Sequence, residues 1–254
     1  MLDIIIVPFI NILLWIYQTL GNNFGWAIII FTVVIRLATY PFTKQQMDGA
    51  AKMQEMQNSP EWKKVEKKYK NDKNKIREEQ AKLMQEMNVN PFSSCLPTLL
   101  QFPIIIGLYW SVTRTMAATP IQLVELSKNL NLPNASSLIP LNPTFLWIAD
   151  LSQPERLFLD FLPTFGIPVL AILVFISSYL SSKMMAPANT NPNDPGAQMS
   201  KSMTITMPLL MAWLSYSYSA GLALYFATSN IASIAQYALM GKLNLEVFGI
   251  KSKK

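Results

Sequence analysis

Histidine is absent from this chain of 254 residues, and cysteine occurs once, at Cys95. The lack of imidazole excludes a histidine base, a Ser-His nucleophile pair and a histidine-ligated metal. A single thiol excludes an internal disulfide, and no glycine-rich phosphate loop is present. We therefore expect no catalytic residue, no metal and no cofactor, and a protein that is not an enzyme.

Charged residues are also scarce. They make up 14% of the chain, whereas hydrophobic residues make up 51%, and a typical soluble domain is about 25% charged. This composition predicts an all-α polytopic membrane protein. The net charge of +6 is compatible with nucleic-acid binding, but the basic residues lie between the apolar segments, where membrane orientation explains them better.

Five apolar stretches are long enough to cross a bilayer as helices. The predicted transmembrane helices are residues 23–43, 91–117, 161–185, 199–218 and 221–241. The predicted segments around them are a helical hairpin at 44–90, an extracytoplasmic segment at 118–160, a linker at 186–198 and a basic tail at 242–254. The sequence thus predicts a bundle of spans with one large hairpin attached.

The first 22 residues are apolar, but Asp3, Pro8, Asn11 and Gln18 interrupt them. They lack the basic start and the small-residue cleavage site of a secretory signal. We expect an amphipathic helix that lies in the membrane interface. The alternative is an additional span.

The distribution of Lys and Arg predicts the orientation. Residues 44–90 carry eleven of them and the tail carries four, whereas residues 117–160 carry two. Because basic loops stay in the cytoplasm, we expect the hairpin, the linker and the tail there, and the N-terminus outside. The distribution therefore predicts a multi-pass membrane protein with a cytoplasmic C-terminus.

The hairpin is predicted to have one helical arm at 44–57 and a second at 61–87. Ser59 and Pro60 are a helix-start signal for the second arm, because serine caps a helix and proline fits its first position. This arm is rich in lysine: Lys63, Lys64, Lys67, Lys68 and Lys70. These lysines form either a solvated helix face or a recruitment surface for anionic headgroups, ribosomal RNA or an acidic targeting factor.

Arg36 lies in the middle of the first predicted span. A cation at that depth costs about 2.5–3.5 kcal/mol on insertion scales, so an intramembrane charge indicates a functional site. Thr32 lies four residues earlier on the same helix face. The cores of the predicted spans contain no Asp or Glu, so water, polar side chains or a ligand must satisfy Arg36. This pattern predicts a hydrated cavity between the spans.

Other polar side chains interrupt the later spans. Gln101 lies in the second, and Ser229 and Ser233 share a face of the fifth. Such residues either bond neighbouring helices to one another or line a groove. The fourth span carries methionines at intervals of four, which form either an ordinary packing surface or an adaptable slide for apolar client helices. These are Met203, Met207 and Met211.

Four segments carry a resemblance to a known family. They are FTVVIRLATYPF (31–42), PFSSCLPTLLQFPIIIGLYW (91–110), TFLWIADLS (144–152) and SAGLALYFATSN (219–230). In this order, with the basic hairpin between the first two, the chain resembles the YidC membrane protein insertases and their mitochondrial and chloroplast relatives. The resemblance covers about residues 10 to 241.

The resemblance implies five transmembrane helices around a hydrophilic groove that opens to the cytoplasm and to lipid. It implies that Arg36 attracts acidic residues in the translocated tail of a client. Thr32 and Gln101 match positions that line the groove, and Tyr225 and Phe226 match an aromatic pair near the client's path. The implied function is to insert newly made membrane proteins and to help them fold. The resemblance also implies a location in the bacterial plasma (inner) membrane, with a thylakoid membrane as the alternative for a cyanobacterial source.

The implied partners are nascent membrane proteins, with the ribosome, a targeting factor, the Sec translocon and anionic lipids as further candidates. We expect a monomer, because each chain carries one whole groove. The main alternative function is a small-molecule or ion transporter. A transporter usually needs a coupling carboxylate or inverted repeats, and the sequence shows neither.

Overall fold

The computed structural model describes residues 3–69, 72–87, 96–115, 141–159, 162–185 and 195–241. The helices in that part of the chain are α1 (Asp3–Thr19), α2 (Phe24–Ala38), α3 (Tyr40–Asn58), α4 (Pro60–Lys68), α5 (Lys73–Glu86), α6 (Leu96–Thr115), α7 (Val169–Met185), α8 (Pro195–Ser217) and α9 (Ala220–Leu239). The strands are β1 (Leu157–Leu159) and β2 (Leu162–Ile167). The fold is therefore mostly helical, as the composition predicts.

Several predicted features lie outside the described residues. They are Lys70, the side chain of Gln101, residues 88–95, residues 116–140, residues 186–194 and the tail at 242–254.

Helices α2 and α9 run in the same direction, and α6 returns beside them. Ile28 of α2 and Val112 of α6 both contact the first turn of α9 at Gly221. Further along, Arg36 of α2 donates to Ser229 of α9, so α2 and α9 are parallel. Val112 lies in the last part of α6, so α6 is antiparallel to both.

The starts of α7 and α9 lie on one short segment, because Glu155 accepts from the amide of Leu170 and Leu151 accepts from the amide of Gly221. More than two turns into both helices, Asn230 of α9 donates to Ser177 and Ser178 of α7, so α7 and α9 are parallel. Helix α8 packs against α7 and α9 and leads into α9 through Tyr218 and Ser219. Its last turn therefore lies at the end of the bundle where α2, α7 and α9 begin. The five helices alternate in direction along the chain.

Residues 141–155 cover that end of the bundle, which we call the capped end. The first amide groups of a helix have no partner within the helix. Here the carbonyls of Gln153 and Leu151 accept from the amides of Ala220 and Gly221 at 2.8 Å. The buried carboxylate of Glu155 accepts from the amide of Leu170 at 3.0 Å. One segment thus satisfies the amide groups at the starts of α7 and α9.

The hydrophobic core lies between the helices toward the capped end. Fully buried aromatic and aliphatic side chains come from α2, α6, α9 and the covering segment. Examples are Phe24, Phe31, Leu108, Leu151 and Tyr225. Burial of each such side chain contributes about 1.5–3 kcal/mol, so this half of the bundle is the more strongly packed one.

Helix α1 lies across α2 and α6 near the capped end. Its first residue, Asp3, pairs with Arg114 in the last turn of α6 at 2.8 Å. Its last turn places Tyr17 against Phe24, in the first turn of α2, with ring centroids 6.1 Å apart. Both ends of α1 thus meet the same end of the bundle. The hydrogen bond from Arg114 lowers the pKa of the Asp3 carboxyl, but the pair is exposed and contributes little to stability.

The first predicted span differs from the structure at its end. We predicted a helix over residues 23–43, whereas α2 ends at Ala38 and α3 begins at Tyr40. Pro41 has no amide hydrogen to donate to the carbonyl of Leu37, so the helix ladder breaks there. At the end of α2, the hydroxyl and the amide of Thr39 both donate to the carbonyl of Ile35, at 2.8 and 2.9 Å.

The bend between α2 and α3 affects which helices are long enough to cross a membrane. Among the described residues, no single helix combines the length and the apolar character needed to cross a membrane. The pair Phe24–Ala38 and Tyr40–Met53, bent by 58°, meets both requirements together.

The third predicted span was wrong over its first residues. Residues 162–167 form β2, which pairs antiparallel with β1 in a two-stranded sheet. Pro168 precedes α7, which begins at Val169. The apolar run was continuous, but proline cannot donate to the ladder of a helix interior and is suited to a helix start. The all-α prediction therefore fails at this short hairpin.

The large hairpin is built from α3, α4 and α5. Its second arm was predicted as one helix over 61–87, but it is divided into α4 and α5. Asp72 explains the second start, because its carboxylate accepts from the amides of Asn74 and Lys75. Met56, Trp62 and other apolar side chains are buried inside the hairpin, so it has a small core of its own.

The predicted helix start at Ser59 is confirmed, since its hydroxyl accepts from the amide of Trp62 at 3.2 Å. We expect Ser59→Ala to cost about 1 kcal/mol of local stability, the usual value of such a cap. Hydrogen exchange of the first amides of α4 should become about fivefold faster. Ser59→Asp, which keeps a capping oxygen, is the control and should exchange as the wild type does.

Candidate functional site

A cavity of about 290 Å³ lies between α2, α6, α7, α8 and α9, and we call it the central cavity. Its polar wall residues are Thr32, Arg36, Thr39, Thr43, Ser178, Ser181, Ser182, Ser229 and Asn230. Its apolar wall residues are Ile35, Phe42, Ile104, Ile105, Met207, Pro208, Met211, Tyr225 and Phe226. Half of the wall is therefore polar, although most of these residues come from apolar helices.

One face of α2 and α3 supplies four of the polar residues. Thr32, Arg36, Thr39 and Thr43 are spaced by four, three and four residues, which is the period of a helix. The bend at Thr39 does not break this alignment, since all four line the same cavity. The hydroxyl of Thr32 donates to the carbonyl of Ile28 at 2.6 Å and keeps its lone pairs for a further donor.

The guanidinium of Arg36 is held against α9. Its Nε donates to the Oγ of Ser229 at 2.9 Å, and its Nη2 donates to the same oxygen. Gln236, two turns further along α9, donates to the backbone carbonyl of Arg36 at 2.8 Å. The side chain therefore extends from the level of Gln236 back toward the capped end, as helical side chains do, and carries the charge into the cavity.

A second polar contact joins α9 to α7. The amide nitrogen of Asn230 donates to Ser178 at 2.6 Å and to Ser177 at 3.2 Å. Two adjacent residues of α9 thus bond to two different helices, since Ser229 contacts α2 and Asn230 contacts α7. We infer that α9 fixes the width of the cavity at this level.

The electrostatics of the cavity are set by one charge. None of its described wall residues is acidic, and Arg36 makes no ion pair with a described residue. A serine hydroxyl is a neutral acceptor, so it leaves the positive charge uncompensated. In a partly buried site such a charge interacts strongly with an incoming anion, about 4 kcal/mol at 4 Å for an effective dielectric near 20.

Most residues predicted for the site lie on this cavity. Those in its wall are Arg36, Thr32, Ser229, Tyr225, Phe226, Met207 and Met211. Ser233 lies one turn beyond, buried, and donates to the carbonyl of Ser229. Met203 is exposed one turn before Met207 and does not line the cavity. The hairpin lysines Lys63, Lys64, Lys67 and Lys68 are exposed on α4.

The prediction missed several wall residues. Thr39 and Thr43 were overlooked, although their spacing from Arg36 is a helical signal that the sequence displays. Ser181 and Ser182 continue the face of Ser178 at intervals of three and four, and the same periodicity would have found them. Ile104 and Ile105 give no such signal, because nothing in the sequence separates them from other apolar residues of α6.

Comparison with known proteins decides the family. A family model described as 60Kd inner membrane protein matches residues 15–246. A relative named membrane protein insertase YidC, from Clostridium tetani, is 33% identical over 87% of this chain and 83% of its own length. The chain belongs to the YidC family. The family suggested by the four sequence segments is thus confirmed.

Other YidC relatives are longer. ALBINO3-like protein 1 from Arabidopsis thaliana is 31% identical over 87% of this chain but only 43% of its own length. A YidC insertase from Leptospira interrogans is 30% identical over 91% of this chain and 34% of its own length. The chain therefore spans less than half of these two relatives.

A solved structure shares the fold. It is a crystal structure of an active YidC insertase with its first transmembrane domain resolved, and it matches with a TM-score of 0.61 at 24% identity. The match covers 92% of this chain and 45% of that one. The described part of the chain therefore has a fold similar to that of this YidC structure.

Proposed function

We propose that the protein inserts newly made membrane proteins into the bilayer and helps them fold, with the central cavity as the entry site for a client's polar tail. The observation that carries this proposal is the uncompensated Arg36 charge in a half-polar cavity between apolar helices. The names of the relatives favour insertion over small-molecule or ion transport.

We propose that α2, α6, α7, α8 and α9 are the five transmembrane helices and that α1 lies in the membrane interface. Their alternating directions fit five crossings, and the position of α1 across the capped end fits an interfacial helix. The basic residues of the large hairpin then lie in the cytoplasm. The capped end faces outside, where residues 141–155 close the cavity from that side.

The mechanism needs no covalent step. A client's hydrophilic tail enters from the cytoplasm, and its acidic residues are attracted to Arg36. Hydroxyl and amide groups on the wall replace part of the water that the tail loses, so its polar groups are not buried unpaired. The cavity also shortens the apolar distance that remains to be crossed. Met207 and Met211 offer flexible apolar contacts to the client's helix as it leaves for lipid.

The lysines of α4 are proposed as the recruitment surface. The exposed lysines of this helix are Lys63, Lys64, Lys67 and Lys68. The same helix packs into the hairpin through the buried Trp62. Such a surface attracts anionic headgroups or an acidic partner. Nascent membrane proteins are the proposed clients, and the ribosome, a targeting factor and the Sec translocon are proposed as suppliers of them. The proposed functional unit is a monomer.

Reconstitution tests the function directly. Purified protein in liposomes should insert a single-span client with an acidic tail, measured as protease protection of that tail, above the level of empty liposomes. Solute or ion flux through the same liposomes without client should equal that of empty ones. Absence of client protection together with solute flux would instead establish a transporter.

A substitution at Ser229 tests whether the free charge is what matters. Ser229→Asp places a carboxylate within reach of Arg36, so an internal ion pair should replace the attraction to the client. We expect insertion of acidic-tailed clients to fall about tenfold or more, nearly as far as when Arg36 itself is removed. Ser229→Asn, which is similar in size but neutral, is the matched control and should retain most activity. Equal insertion by the two variants would contradict this role of the charge.

A further inference from the structure

A second concave site lies on the outside of the bundle, between α7 and α8. This α7–α8 groove has a volume of about 360 Å³, and its wall is apolar throughout. Pro168 and Tyr216 line it at the capped end, and Phe175 lines it two turns further along α7. The seven helical steps from Pro168 to Phe175 correspond to about 10 Å. The groove is separate from the central cavity, with which it shares no wall residue.

A cation stands at the capped end of this groove. The guanidinium of Arg156 lies 5.3 Å from the ring centroid of Tyr216, so Tyr216 contacts both the groove and the charge. Arg156 is exposed and makes no ion pair within the described residues. Gly166 allows β2 to pass close by, because a methyl group there would lie 2.8 Å from the Cβ of Arg156.

Aromatic residues mark the same level. Trp213 is 61% exposed and Tyr216 is 42% exposed, and both line the groove. Trp and Tyr are enriched where the hydrocarbon of a bilayer meets its headgroups. With α7 and α8 crossing the bilayer as proposed above, the groove begins at the depth of lipid phosphates and runs from there along apolar side chains.

We propose that the α7–α8 groove binds one anionic phospholipid, with its phosphate at Arg156 and an acyl chain along the groove. Charge and shape agree, because a cation without an ion pair among the described residues lies at one end of the apolar groove, in the order of headgroup and tail. An apolar client helix would cover the groove but offer no anion to Arg156, whereas a phospholipid supplies both an anion and an apolar chain. The bound lipid joins the ends of α7 and α8 at the capped end.

Native mass spectrometry of the full chain in mild detergent tests the proposal. Phosphatidylglycerol and phosphatidylcholine with matched chains are titrated separately. We expect one phosphatidylglycerol to bind the wild type at least fivefold more tightly than phosphatidylcholine. Arg156→Gln should abolish that preference, and Ala212→Leu, which fills the groove, should weaken both lipids. Glycerol phosphate, which has the headgroup chemistry but no acyl chain, should not compete.

Lys183→Gln is the matched control. Lys183 makes a similar contact at the other end of α7, with its nitrogen 5.8 Å from the ring of Tyr179, and its loss should leave phosphatidylglycerol binding unchanged. Equal phosphatidylglycerol binding by Arg156→Gln and the wild type would overturn the proposal. Competition by glycerol phosphate would overturn the proposal that an acyl chain lies along the groove. A photoreactive probe at Trp213 that crosslinks a stalled client in place of lipid would assign the groove to client helices.

Discussion

Replacing Arg36 by alanine should reduce insertion of acidic-tailed clients about 30-fold. A carboxylate 4 Å from the guanidinium gains about 4 kcal/mol at an effective dielectric near 20. If desolvation offsets half of this, about 2 kcal/mol remains, and each 1.36 kcal/mol changes a rate tenfold. Arg36→Lys keeps the charge and should retain most activity. The measurement is the initial rate of protease protection in reconstituted liposomes.

Two controls distinguish the loss of the Arg36 charge from a general loss of structure. Lys183→Ala removes a basic residue that does not line the cavity, and it should insert clients at the wild-type rate. A client whose tail acids are changed to amides should be inserted equally by the wild type and by Arg36→Ala. If Arg36→Ala inserts the acidic-tailed client as fast as the wild type, the arginine has no role in attracting clients.

The second large effect is expected at Gly25, in the first turn of α2. A methyl group on Gly25 would lie only 2.1 Å from the ring of Phe145, which belongs to the segment that covers the capped end. Phe145 is itself buried and stacks edge-on against Trp26 at 5.8 Å, so it has little room to move. We expect Gly25→Ala to destabilise the protein by about 1–3 kcal/mol, as overpacking does, and to lower the thermal unfolding midpoint in detergent.

A double substitution identifies the cause. Phe145→Ala removes the ring and is itself destabilising by about 3–5 kcal/mol. Adding Gly25→Ala to it should then cost almost nothing, because the methyl group occupies emptied space. Val34→Ala, at an exposed position of the same helix, should change stability by less than about 0.5 kcal/mol. Additive losses from Gly25→Ala and Phe145→Ala would show that the two residues do not meet.

The sequence predicted the helical elements well where apolar runs and caps coincide. Ser59 marked the start of α4, and the short turn before Ala220 separated α8 from α9. It failed where a local break interrupts an apolar run. Pro41 bends the first span and Pro168 follows a strand, yet in both places hydrophobicity continues without a gap. Hydropathy reports burial or lipid contact, which a strand and a bent helix satisfy as well as a straight helix does.

The site was predicted in part. Arg36 was evident, because a cation in an apolar run is rare and costly. Its contact with Ser229 was not, since residues 193 positions apart meet only through the packing of α2 on α9. Glu155 was missed for the same reason. It lies in a segment with no periodic pattern, and its partners, Leu170 and Trp147, are fixed only by the fold.

Site-specific photocrosslinking to a ribosome-stalled client tests the proposed cavity most directly. Probes at Met207 and Ser182 face the central cavity, and a probe at Ile231 occupies an exposed position of α9 outside it. We expect both cavity probes to crosslink the acidic tail, the Ile231 probe not to, and the cavity crosslinks to weaken severalfold in Arg36→Ala. Crosslinks that are equal at all three positions, or that do not change in Arg36→Ala, would contradict a client site built around this arginine.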